Sequence, residues 1–219
     1  NSRLNRMSNS IHFSLIAIFL LLAVCSDVLA AEPASVVAPI PNVLVLGDSI
    51  YSQSTNNAAS ILRGRVNLKF ATMQPGEVRN THNALENLND LLGDERWDLI
   101  HFNFGLGDLV YRAPNMKTFR VLPKTAGGIR TTSPALYEKN LRALVTRLKA
   151  TGSKLIWAST TPIRHSSTGV FDMASEIEYN AIAARVMMEH GIPVNDMYSH
   201  DLKLIDMEKP AAHGADPFY

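Results

Sequence analysis

The chain is 219 residues long, 46% hydrophobic and 19% charged, with a formal net charge of +1. That balance suits one globular domain closing a single core. It offers no basic excess for a polyanion, so nucleic acid is not an expected partner.

The first feature is the apolar stretch Phe13–Val24 (FSLIAIFLLLAV), followed by small residues up to Ala30 and Ala31. It reads as a secretory signal peptide that starts at Met7 and is cleaved near Ala30, leaving residues 1–30 outside the mature chain. Roughly 12 apolar residues fall short of the about 20 that a membrane-spanning helix needs. The expectation is therefore a secreted or periplasmic protein with no stable membrane anchor after cleavage. Cys25, the only cysteine, lies in the leader, so the mature chain forms no internal disulfide. Val24 before it is a poor fit for lipid attachment. Cleavage also removes Arg3, Arg6 and Asp27, which leaves basic and acidic residues in equal number.

After a Pro- and Ala-rich linker over residues 31–41, the remaining chain, 42–219, reads as one domain. The run NVLVLG (Asn42–Gly47) has the continuous apolar pattern of a strand buried on both faces of a parallel sheet. A helix over Asn56–Arg63 and a strand over Arg65–Ala71 follow. Leu85, Leu88, Leu91 and Leu92 predict a helix over Thr81–Leu92, with Gly93 as its stop. WDLIHFNFG (Trp97–Gly105) predicts a central strand, and Tyr111–Thr132, which lacks periodicity and carries Gly127-Gly128, a long loop near the active face.

Pro134–Lys149 is the clearest helix, with Ser133 as N-cap and Leu136, Leu141, Leu144, Val145 and Leu148 as its apolar stripe. Ser153–Pro162 predicts a strand ended by Pro162, Met173–His190 a helix, and Ile192–Tyr198 a short last strand. This alternation argues for an α/β fold with a parallel sheet.

Ligands of an open parallel sheet bind beyond the carboxyl ends of its strands. Three such ends carry chemistry here: Gly47-Asp48-Ser49, Gly105-Leu106-Gly107-Asp108, and Thr160-Thr161-Pro162. A serine at a strand-end turn exposes its hydroxyl and aims its own N–H at a developing oxyanion. The same serine, or Asp48, could instead cap the next helix.

These blocks, in this order, resemble the SGNH (GDSL-like) hydrolase family, and an exported bacterial subgroup in particular. LENLNDLLGDERWDLIHFNFGLGDL and LYEKNLRALVTRLKATGSKLIWASTTP extend the resemblance from Asn42 to the end of the chain. It implies a three-layer α/β/α flavodoxin-like sandwich, a nucleophile at Ser49, and a second oxyanion donor at Gly76, with Asn80 as the competing choice. Asp48, Gly105 and Asp108 would support the site.

Two departures stand out. The family's third block is Gly-x-Asn-Asp, whereas Gly107 stands at the Asn position, and Asn103 is the candidate substitute donor. The family's last block is Asp-x-x-His, absent here; the end of the chain offers His213 and Asp216 in reversed order. Either His213 is the base, or the reading frame is cut short and Asp216 orients a histidine beyond Tyr219; the latter is the expectation.

His82, His101, His165 and His190 have structural explanations, and His200-Asp201 comes too early for the last block. No residue spacing suggests a metal site or a dinucleotide loop, so no cofactor is expected. The resemblance implies an esterase that removes short, acetyl-like acyl groups, expected on extracellular carbohydrate, through an ester on Ser49. The alternatives are a non-catalytic glycan-binding relative and a carbohydrate O-acyltransferase. A small-molecule or glycan ester is the expected partner.

Overall fold

The computed structural model describes residues 39–73, 78–115, 119–165 and 169–208. The expected leader, Gly76, His213 and Asp216 lie outside them.

Five parallel strands form the central sheet: β1 (Asn42–Leu46), β2 (Asn67–Phe70), β3 (Leu99–Phe102), β6 (Lys154–Ala158) and β7 (Val194–Asn195), in the order β2-β1-β3-β6-β7. From β1 the chain runs outward through α1 (Tyr51–Ile61) to β2. It then returns through α2 (Thr81–Glu86) and α3 (Leu88–Leu92) to β3 on the other side of β1. The direction of winding reverses between β1 and β3, which opens a crevice above their carboxyl ends.

Alternation along the strands builds two unequal cores. Leu44 and Leu46, Ile100 and Phe102, and Leu155 and Trp157 face the larger one, against α5 (Pro134–Ala150) and α6 (Ser175–His190). Val45 and Ala158 face the smaller one, with Tyr51 of α1 and Met197 of α7 (Met197–Asp201). Helices thus cover both faces of the sheet, giving the expected three-layer α/β/α arrangement.

α5 forms as expected from its start signals. The Ser133 hydroxyl accepts from the Leu136 N–H at 3.3 Å and Pro134 opens the first turn. Its buried stripe is Leu141, Leu144, Val145 and Leu148 as expected, with Tyr137 in place of Leu136, which is 42% exposed. Tyr137 takes the core position because its hydroxyl finds the Phe104 carbonyl at 2.8 Å.

Other boundaries differ for local reasons. The helix expected over Thr81–Leu92 breaks at Asn87, whose side-chain amide and backbone N–H both donate to the Asn83 carbonyl. Such competition for one acceptor unwinds a turn. β3 ends at Phe102, and Gly105 introduces the short helix α4 (Leu106–Leu109) instead of continuing the strand. The last strand shrinks to β7, and α6 begins at Ser175.

The expected loop over Tyr111–Thr132 contains a small antiparallel pair, β4 (Tyr111–Arg112) with β5 (Ile129–Arg130). Asp172, ahead of α6, pins it: its carboxylate accepts from Tyr111 Oη at 2.6 Å, Lys124 Nζ at 2.9 Å and Arg130. Partial burial opposes ionisation, but these donors outweigh it and hold the Asp172 pKa down at about 2. Because the folded-state value is depressed, this support is complete above the ordinary value of 3.8 and is lost as the pH falls toward 2. Asp172→Ala should speed protease cleavage within residues 119–132 several-fold while shifting global urea unfolding by no more than about 1 kcal/mol.

Candidate active site

The turn after β1 brings the first block to the crevice. The Tyr51 N–H bonds the Asp48 carbonyl at 3.1 Å and the Ser52 N–H bonds the Ser49 carbonyl at 3.0 Å, so the chain coils directly into α1. No side chain caps α1, and Ser49 is exposed. The capping explanation of Ser49 therefore fails: among the described residues its hydroxyl has no partner.

Asp48 does not cap the helix either. Its side chain is buried and reaches across to the third block, where Oδ2 accepts from the N–H groups of Gly105 at 3.1 Å and Leu106 at 2.9 Å. Oδ1 accepts from the Gly107 N–H at 3.2 Å. Asp108 is also buried. It accepts from Thr81 through the backbone N–H, at 3.0 Å to Oδ2, and through the hydroxyl, at 2.6 Å to Oδ1. Asn140 Nδ2 of α5 then donates to the Thr81 hydroxyl at 3.2 Å. Asp48 and Asp108 are thus the two struts that hold the third block against the first block and α2.

Asn103 is placed differently from the expectation. It is 1% exposed, and its Nδ2 donates to the Ala158 carbonyl at 2.8 Å and to Thr160 Oγ1 at 3.2 Å. β3 has already ended, so the amide turns along the sheet toward β6.

No family model matches the chain, and no curated protein does. Solved structures do. A lipase/acylhydrolase from Enterococcus faecalis is 18% identical, with 75% of this chain and 80% of that one covered at a TM-score of 0.55. An acetylxylan esterase from Geobacillus stearothermophilus is 16% identical, covering 80% and 88% at 0.55. A G-D-S-L family protein from Desulfitobacterium hafniense is 15% identical, covering 71% and 77% at 0.50. Catalytic mutants of the Geobacillus esterase, with a serine or an aspartate replaced by alanine, match as well. The chain has the SGNH hydrolase fold.

Within that SGNH fold, the departure at Gly107 has a steric cause. A Cβ on Gly107 would stand 2.1 Å from the Arg79 carbonyl oxygen, so the third block approaches the backbone before α2 too closely for any side chain. Gly105 is equally constrained, its Cβ position lying 1.9 Å from Thr160 Oγ1.

Arg79 is the site residue that sequence reasoning missed. Nη1 donates to the carbonyls of Gly47 at 3.1 Å and Ala71 at 2.9 Å, at the ends of β1 and β2, and the guanidinium lies over the Phe70 ring. Burial lowers its pKa while the nearby Asp48 opposes the shift. An isolated arginine after Gly76 carries no motif, so only its position could have identified it. Phe119, within the expected loop, was invisible for the same reason. Together with Ser49, Val78, Leu106 and Gly107, these two line a cavity of about 190 Å³ beside the serine.

Burial pushes the Asp48 pKa up to about 7, with the charge of Asp108 adding to the rise and the three amides opposing it. Burial likewise raises Asp108 to about 6 against its bonds from Thr81 and Thr132. Among the described residues no cluster of His, Cys, Asp or Glu could hold a metal ion.

Two outcomes follow. Raised folded-state values mean that stability is fully present below pH 3.8 for these two groups and declines as the pH climbs through about 6 and 7. Urea unfolding across this range should show that decline, and Asp108→Asn should flatten it. Gly107→Asn, which would restore the family's residue, should lower stability by about 1–3 kcal/mol through overpacking and fail to raise esterase activity.

Proposed function

We propose that this protein is an SGNH-type ester hydrolase that removes short acyl groups from carbohydrate esters, with Ser49 as nucleophile. The observation that carries this reading is an exposed, uncapped serine at the end of β1, at the sheet's switch point and on the rim of a small, largely apolar cavity. The Geobacillus and Enterococcus structures lend the ester chemistry by analogy.

Ser49 Oγ attacks the ester carbonyl as its proton passes to a C-terminal histidine, either His213 or, in the expected case, one that follows Asp216 beyond Tyr219 and is oriented by it. The oxyanion is met by the N–H groups of Ser49 and Gly76. The protonated base then gives its proton to the departing sugar hydroxyl. Water, deprotonated by the same base, releases the acid from Ser49. At about 190 Å³ the cavity is smaller than the 300–1,000 Å³ typical of sites for larger ligands, which fits an acetyl-sized acyl group. The expected export would place this reaction outside the cytoplasm.

A second reading, glycan binding without turnover, is favoured by one observation. Gly107 has no side chain and Asn103 is committed to β6, so two of the family's candidate donors are absent from the space above Ser49. Acetate release from 4-nitrophenyl acetate and acetylated xylan separates the readings. For the hydrolase, Ser49→Ala should lower kcat/KM at least about 1,000-fold with an unchanged circular dichroism spectrum; His213→Ala should do nearly as much where His213 is the base and should leave the rate unchanged where a later histidine is. If wild type and Ser49→Ala release no acetate but bind the glycan equally, the binding reading stands.

A further inference from the structure

Beside the Ser49 cavity lies a second, larger depression of about 350 Å³, and Val78 and Phe119 line both. The two form one groove, divided by a pair of apolar side chains. An ester bound with its carbonyl at Ser49 has two arms, and the smaller cavity suits the acyl arm. The larger one is the adjoining space for the alcohol.

The charge of this groove is one-sided. Arg79 stands at the acyl end and Arg112 and His82 in the larger part, whereas among the described residues the only acid lining either depression is Asp48, whose oxygens are turned to the amides of residues 105–107. His82 has a carboxylate partner in Glu86 at 3.3 Å. Arg112 has none among the described residues. Its side chain's one hydrogen bond among the described residues, from Nη1 to the Ala113 carbonyl, is 3.4 Å long, at the weak end of the range. A guanidinium has five N–H donors in a planar fork that matches a carboxylate. Thr131 and Asn80 also line it, and Leu136, 42% exposed, offers an apolar face.

We infer that this groove is the leaving-group subsite and that it selects an acidic sugar, with Arg112 receiving the carboxylate of a uronic-acid unit. The inference rests on the esterase reading for its orientation but is tested without turnover.

Titration calorimetry on the full-length Ser49→Ala protein, at low salt, compares per-O-acetylated glucuronic acid with per-O-acetylated glucose. The acid should bind at least tenfold more tightly, and the preference should shrink as salt is added. Adding Arg112→Gln should reduce the acid-to-neutral ratio by about 10- to 100-fold, the worth of a charge-assisted hydrogen bond. Arg112→Lys, which keeps the charge but loses the fork, should restore part of it. Equal affinities in the Ser49→Ala protein would overturn the inference, as would an acid preference that survives Arg112→Gln in a variant with an unchanged circular dichroism spectrum. Absence of acetate release by the wild type overturns the esterase reading instead, so the two failures are distinguishable.

Discussion

A buried carboxylate that must find donors governs this site. Asp48 is 3% exposed, and the three consecutive N–H groups of Gly105, Leu106 and Gly107 converge on its two oxygens. Leaving such a group unpaired would cost far more than an ordinary hydrogen bond returns. The chain after β3 must therefore turn into α4 where it does. That turn sets the third block against the first and leaves Ser49, the next residue after Asp48, pointing out of the structure.

The remaining contacts propagate the same constraint outward. Asp108, at the end of the coil that Asp48 anchors, fastens Thr81 and through it Asn140 of α5. The Asp108 carbonyl accepts from the Thr132 N–H, and Tyr179 of α6 donates to the Thr132 carbonyl, so both large helices register on the loop. Asn180 completes the frame by donating to the Thr160 carbonyl and accepting from the Thr160 N–H, in the manner of a neighbouring strand. Polar groups placed this deeply rigidify a site because each has few alternative partners.

The close packing that this network demands also explains the chain's chief departure from the family pattern. With the Arg79 backbone pressed onto Gly107, no side chain fits there, and the space beside Ser49 is bounded by Val78, Leu106, Phe119 and Arg79 instead. The crevice thereby exchanges a neutral amide for an arginine bound to strand-end carbonyls.

Much of this was legible in order along the chain. The apolar runs at Asn42–Leu46, Leu99–Phe102 and Lys154–Ala158, the caps of α5 and the glycine-rich strand ends identify a parallel α/β sheet and the positions of Asp48, Ser49, Gly105 and Asp108, because period, capping and turn chemistry are local properties. What Asp48 does with its carboxylate, why Gly107 cannot be asparagine, where Asn103 spends its amide and that Arg79 and Phe119 line the cavity beside Ser49 were decided by tertiary structure alone. Each of those depends on groups tens of residues apart meeting at a strand end, and no spacing within a single segment encodes which donor will face which acceptor.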